Sequence, residues 1–219
     1  MNGDGSGVTL HAIDPAGVDL AEAMAGVSDD ERARAARLVF QEDRERWLKY
    51  RAALRRILGA RLGVEPRELP LSLGEHGKPY VPGGGIDFNL SHSDRLAVVI
   101  VSCTGVVGVD IEPVSRGNSL LGCEAHFCHP REIEELSIDP QKRADELIHL
   151  WTAKEAGLKA MGTGMSQPPQ EIRVTGDRWW GPLEGLDRLR LSRPPIPGNS
   201  DHVIAVACEI DSPPPMWAE

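Results

Sequence analysis

The chain has 219 residues, of which 41% are hydrophobic and 26% charged, with a formal net charge of −9. Such a balance describes a globular protein of one or two domains, long enough to bury a core, and the negative charge argues against general affinity for nucleic acid or anionic membranes. No run approaches the roughly 18 apolar residues of a membrane span, and the opening MNGDGSG lacks the regions of a signal peptide, so the expected compartment is the cytoplasm.

In chain order, the first strong signal is a helix start: Ser28 and Glu31 have capping-box spacing. The helical sequence that follows crowds in Arg32, Arg34, Arg37, Arg44, Arg46, Lys49, Arg51, Arg55, Arg56, Arg61 and Arg67. Trp47, Tyr50, Leu54 and Leu58 supply its apolar contacts, which leaves most of the basic residues on a solvated face and a few to bind phosphate. From Leu62 a stretch punctuated by Gly and Pro reads as short strands and loops. Within it, Gly77-Lys78-Pro79 is a turn before a strand, and Gly83 to Gly85 is a loop without the strand-to-helix context of a phosphate site. His92, between Ser91 and Ser93, reads either as a satisfied structural group or as an anion contact.

Next come two apolar segments, Leu96 to Val101 and Val106 to Glu112, separated by Thr104-Gly105, a pattern that predicts two strands joined at a tight turn. Side chains alternate along a strand, so Val107, Val109 and Ile111 share one face, and Gly108, Asp110 and Glu112 the other. Two carboxylates on one face repel each other unless a cation lies between them, and hard oxygen ligands select Mg²⁺ or Ca²⁺; the alternative is a strand end emerging into solvent.

Cys123, His126, Cys128 and His129 cluster beyond that strand, in no recognised zinc-ligand spacing; with Cys103 and Cys208 the cysteines are read as reduced thiols. His129-Pro130 opens a helix with acids in its first turn, and a second helix runs from about Pro140 through Leu158. In the latter, Leu147, Leu150, Trp151, Leu158 and Met161 form a core-facing stripe that contains Lys154, while Glu155 and Lys159 stack four residues apart at its border. A lysine in an apolar stripe must meet an anion or snorkel. Short strands at Glu171 to Val174 and Val203 to Glu209 follow, and residues 213–219 read as a loose tail.

Four ordered pieces, Gly77-Lys78-Pro79, Asn89 to Ser93 (NLSHS), Gly108 to Glu112 (GVDIE) and Trp151 to Gly164 (WTAKEAGLKAMGTG), together resemble the Sfp-type 4′-phosphopantetheinyl transferases. The resemblance implies an α+β pseudodimer: two similar subdomains, each with a small antiparallel sheet and helices, and a ligand cleft between them. Mapped on this chain, the subdomains span residues 1–115 and 116–212. It implies transfer of the 4′-phosphopantetheine arm of coenzyme A to a serine of an acyl or peptidyl carrier protein, with release of adenosine 3′,5′-bisphosphate. Asp110, Glu112 and Glu155 become Mg²⁺ ligands. Glu155 becomes the acceptor of the serine proton, directly or through water. Lys159, with Lys154 nearby, stabilises the leaving phosphate. Arg34, Arg46, Gly77, Lys78, Pro79, Ser91 and His92 become coenzyme contacts, His92 at a phosphate. At Glu31 the chain departs from the basic residue found in part of the family. The implied partner set is coenzyme A and a carrier protein, without nucleic acid or membrane, served by a monomer; the W-x-x-K-E-A form resembles the branch associated with nonribosomal peptide and siderophore pathways, with polyketide and fatty-acid carriers left open. A Mg²⁺-dependent pyrophosphate hydrolase and a non-catalytic carrier- or nucleotide-binding module are the alternatives.

Overall fold

The computed structural model describes residues 7–93 and 95–218; residues 1–6, on which most of the signal-peptide reading rests, and Asp94 and Glu219 lie outside the described residues. The first half contains β1 (Val8–Ile13), α1 (Leu20–Gly26), α2 (Asp29–Ala35), α3 (Gln41–Leu62), β2 (Ser72–Leu73), β3 (Pro79–Tyr80), β4 (Asp87–Ser93) and β5 (Leu96–Ser102). The second contains β6 (Val107–Pro113), α4 (Gly117–Leu120), α5 (Pro130–Glu135), α6 (Pro140–Met161), β7 (Arg173–Thr175), β8 (Arg178–Trp180), β9 (Leu189–Ser192), β10 (His202–Glu209) and β11 (Met216–Trp217). Among the described residues no helix is long and apolar enough to cross a membrane.

The two halves repeat one plan. Apart from β11, the first strand of each half lies beside the last and the last beside the second-to-last, all antiparallel, as β1-β5-β4 and β6-β10-β9. Each inserts a helix of 22 residues after its first strand, followed by a two-stranded hairpin. Both long helices end on a left-handed glycine, Gly63 (φ 67°) and Gly162 (φ 70°), a conformation that costs other residues a Cβ clash. The expected α+β pseudodimer is the fold.

Period-two alternation then builds four layers. On β5, Ala97, Val99 and Val101 face Tyr50, Leu54 and Leu58 of α3, while Val98 and Ile100 face the other sheet. On β10, Ala205 and Ala207 face α6, while Ile204, Val206 and Cys208 meet Val98 and Ile100. The order is therefore α3, first sheet, second sheet, α6. Strands covered on both faces need apolar residues at every position, which explains the unbroken runs AVVIV and VIAVAC.

The capping box forms: Glu31 N donates to Ser28 Oγ and Ser28 N to Glu31 Oε2. Glu31 also receives Arg51 and Arg55 from α3. Burial pushes its carboxyl pKa up, but Arg51, the Ser28 N–H and Arg55 outweigh that and hold it below the ordinary value. A basic residue at position 31 would leave these arginines facing like charge. Arg55 is itself buried and donates to the carbonyls of Pro66 and Leu69, so the arginine-rich helix is partly an internal strut.

Three expectations are corrected. Segments 96–101 and 106–112 are strands, but they do not pair with each other. Both edges of β5 are occupied, by β1 and β4, so β6 crosses to the second sheet and pairs with β10. The aspartate-bearing strand thus opens the second half, and a boundary at residue 115 cuts that half's sheet. The tail is also ordered where described: β11 pairs parallel with β1, Ala218 N donates to Leu10 O, and Trp217 Nε1 donates to Pro195 O. Trp217 covers apolar surface that a loose tail would leave wet.

Candidate active site

The candidate cavity lies where the halves meet. Leu90, Ser91 and His92 of β4 form one wall, and Asp110, Glu112, Trp151, Glu155, Lys159 and Met165 of the second half enclose about 280 Å³ with them. Asp110 and Glu112 face it together because they are two apart on β6, their neighbours Val109 and Ile111 pointing into the core between the sheets. Trp151, Glu155 and Lys159 face it together because they recur every four residues on α6. Gly108 is what brings strand and helix this close: a Cβ there would stand 2.1 Å from Ala156 O and 2.4 Å from Ala160 N.

Lys159 Nζ bonds Asp110 Oδ1 at 2.5 Å and Ser91 Oγ at 3.1 Å, and lies 4.0 Å from Glu155. Ser91 Oγ also donates to Asp110 Oδ1 at 2.9 Å. Glu112 is held by Arg116 and by Trp151 Nε1 at 3.3 Å; the Arg116 guanidinium lies over the indole, which the Phe127 ring meets edge-on. Burial raises the pKa of Asp110, with Glu112 adding to it against the pull of Lys159 and Ser91. Burial likewise raises that of Glu155, Lys159 and Arg116 opposing and the charges of Asp110 and Glu112 reinforcing it. His92 stacks on Tyr50 with ring centroids 5.4 Å apart. Its imidazole pKa is held below 6.5 by burial and by the charges of Lys159 and Arg46, against Glu112.

Among the described residues no His, Cys, Asp or Glu side chains converge as a ready-made metal centre. The donor set is nonetheless that of a hard divalent cation: three carboxylates line one cavity, and Asp110 Oδ2 is buried without a partner. The Cys123–His129 cluster has other uses. Cys128 is buried, its thiol pushed up to about 12 chiefly by burial, and His129 caps α5.

Several expected contacts are elsewhere. Lys154 is one residue before Glu155 and so turned about 100° around the helix. It is buried in an ion pair with Glu132 at 2.8 Å and donates to the carbonyls of Pro169 and Ile172, away from the cavity. Gly77, Lys78 and Pro79 form the β2–β3 turn and start of β3, with the Lys78 ammonium bonded to Asp87, Val107 O and Ala160 O instead of lining the cavity. Arg34 is exposed on α2, 5.8 Å from the Trp47 ring centroid, and Arg46 pairs with Asp43 on the His92 side of α3. Trp151 and Arg116 were missed. Helical spacing places Trp151 in the core-facing stripe, yet its indole N–H reaches Glu112 at the cavity, and Arg116 lies four residues beyond Glu112 in a segment that reads as a loop but turns helically.

Two family profiles divide the chain at the turn between β5 and β6. Residues 12–104 match the N-terminal region of 4′-phosphopantetheinyl transferases, and residues 106–207 match the 4′-phosphopantetheinyl transferase superfamily. The chain is also 38% identical over 162 residues to the 4′-phosphopantetheinyl transferase HetI of a Nostoc strain, an alignment covering 71% of this chain and 68% of that protein. This chain belongs to the Sfp-type 4′-phosphopantetheinyl transferases. A Bacillus subtilis 4′-phosphopantetheinyl transferase is 33% identical over 153 residues, covering 69% of this chain and 67% of the relative. The transferase Sfp of the same species is 29% identical over 152 residues, with the same coverages. Phosphopantetheinylation of a carrier protein is accordingly the activity of this transferase.

Proposed function

We propose that the cavity between the halves transfers the phosphopantetheine of coenzyme A to a serine of an acyl or peptidyl carrier protein, with the second half supplying the reactive groups and the first half the coenzyme contacts. The observation that carries this is the meeting of Asp110, Glu112, Glu155 and Lys159 with Ser91 and His92 in one cavity. The carrier serine Oγ attacks the phosphorus bearing the pantetheine arm, and the bond to the adenosine-bearing phosphate breaks. Glu155, which faces the cavity and whose carboxyl pKa is raised chiefly by burial, takes the Oγ proton. Lys159 donates hydrogen bonds to the departing adenosine 3′,5′-bisphosphate, which leaves with one negative charge more than it carries within the pyrophosphate. Asp110, Glu112 and Glu155 are the residues suited to hold Mg²⁺, which when bound neutralises charge on the pyrophosphate. His92, Ser91 and Arg46 hold the coenzyme phosphates. Because both walls of the cleft come from one chain, the proposed enzyme works as a monomer; its proposed compartment is the cytoplasm and its carriers are of the nonribosomal peptide, siderophore or polyketide kind.

The test is incubation with coenzyme A, Mg²⁺ and a panel of apo carrier domains, each then weighed by intact mass spectrometry. The expected result is a gain of one phosphopantetheine that disappears when Mg²⁺ is chelated. Cleavage of coenzyme A without any carrier would instead make the protein a pyrophosphate hydrolase, and coenzyme binding with no gain on any carrier would make it a binding module.

A further inference from the structure

We infer that Lys78 and Asp87 are positioning residues that hold Asp110 and Lys159 together across the junction of the two halves, and that the Lys78 ammonium makes no contact with the coenzyme phosphates. The inference rests on the reading of the cavity given above.

Both β4 and β6 are edge strands, each at the end of a different sheet. An edge leaves alternate backbone groups unpaired, and on β6 these are buried, since Val107, Val109 and Ile111 are at most 1% exposed. They are satisfied by side chains. Asp87, Asn89 and Ser91 point from one face of β4, two residues apart, and accept from Val107 N at 2.8 Å, Val109 N at 3.0 Å and Ile111 N at 3.3 Å. Three side chains thus stand in for a neighbouring strand. The last of them, Ser91, reaches into the site, where it bonds both Asp110 and Lys159.

Lys78 locks the other end of this row. Its ammonium bonds Asp87 Oδ2 at 2.6 Å, Val107 O at 3.1 Å and Ala160 O at 3.1 Å. An ammonium has three donors, and these partners take all three, leaving none for a phosphate. Ala160 follows Lys159 in the last turn of α6, where carbonyls lack helical partners and the helix end carries partial negative charge, so a cation is favoured there. A single side chain therefore ties β4, the start of the strand that carries Asp110, and the turn that carries Lys159.

Lys78→Met, Asp87→Asn and the double variant decide the matter, assayed as full-length enzyme with coenzyme A, Mg²⁺ and an apo carrier well below each variant's melting temperature, with coenzyme A affinity measured by calorimetry. Misplacing reacting groups by a fraction of an ångström to an ångström lowers kcat by about 10- to 100-fold. Each single variant is expected to show such a loss with the Kd for coenzyme A within about twofold of wild type, and the double variant to be no worse than the poorer single. Asp87→Asn keeps an acceptor for Val107 N and decides by itself if Lys78→Met does not fold. Unchanged kcat in the folded variants overturns the inference, because a merely structural pair would lower the melting temperature alone. A coenzyme affinity weakened about tenfold or more by Lys78→Met and not by Asp87→Asn also overturns it, since that pattern marks a substrate contact. A wild-type enzyme that modifies no carrier removes the functional reading and this inference with it, whereas an active wild type with indifferent variants removes the inference alone.

Discussion

Lys159 holds one oxygen of Asp110 at 2.5 Å while the other, Oδ2, is buried and without a partner. A protein rarely buries a carboxylate oxygen idle, and here the idle atom belongs to a cavity lined by two further carboxylates. The pair thus leaves a hard oxygen donor facing the place proposed for Mg²⁺.

Asp110→Asn is expected to reduce transfer to near background while leaving the fold intact, and Glu155→Ala to do the same. Burial and Glu112 raise the pKa of Asp110, so in the metal-free protein its ionisation lowers stability as pH rises from the usual aspartate range through the raised value. Removing that charge leaves neutral-pH stability without metal equal or higher. In wild type, Mg²⁺ raises the melting temperature by mass action; in Asp110→Asn that increment is lost. Thermal melts with and without Mg²⁺ check this, and a variant retaining both turnover and the metal-dependent increment would put the metal elsewhere.

His92 supplies a pH signature for coenzyme binding. Burial, Lys159 and Arg46 depress its pKa below 6.5, so the imidazole is neutral in the free enzyme at neutral pH, and acidification through that window costs stability. A bound phosphate favours the imidazolium, so binding coenzyme A is expected to take up a proton, and affinity to fall as pH rises past the pKa of the complex. Calorimetry in two buffers of different ionisation enthalpy measures the uptake. His92→Gln should abolish it; equal uptake in the variant would remove His92 from the phosphate site.

Lys154 and Glu132 are a buried ion pair, 1% and 2% exposed, in which Glu132 also accepts from His129 N and Val174 N at 2.7 Å each. Lys154→Met strands that carboxylate and is expected to cost about 3–5 kcal/mol by urea denaturation, whereas Lys154→Met with Glu132→Gln recovers most of the loss. Coenzyme affinity of the folded Lys154→Met protein should match wild type. A variant of normal stability with weakened coenzyme binding would return Lys154 to the site.

Much of the site could be read from local periodicity. A strand repeats every two residues and a helix every 3.6, so D-x-E places Asp110 and Glu112 together, and the spacing of Glu155 and Lys159 places those together. The apolar runs of β5 and β10 likewise mark strands covered on both faces, with the two 22-residue helices on the outer faces of their sheets. Periodicity states which side chains share a face, but says nothing of what that face will meet. Lys154 and Glu155 are adjacent in a motif, yet one meets Glu132 in the core and the other the cavity. Lys78 stands in an equally clear motif, and its three partners come from positions 87, 107 and 160, which only folding brings together. β6 joined the second sheet because both edges of β5 were already occupied, and the terminal residues became β11 because β1 offered an open edge. Hydrogen-bonding capacity at an edge, and the charge waiting where a face lands, are properties of the assembled chain, because they depend on groups far apart in sequence.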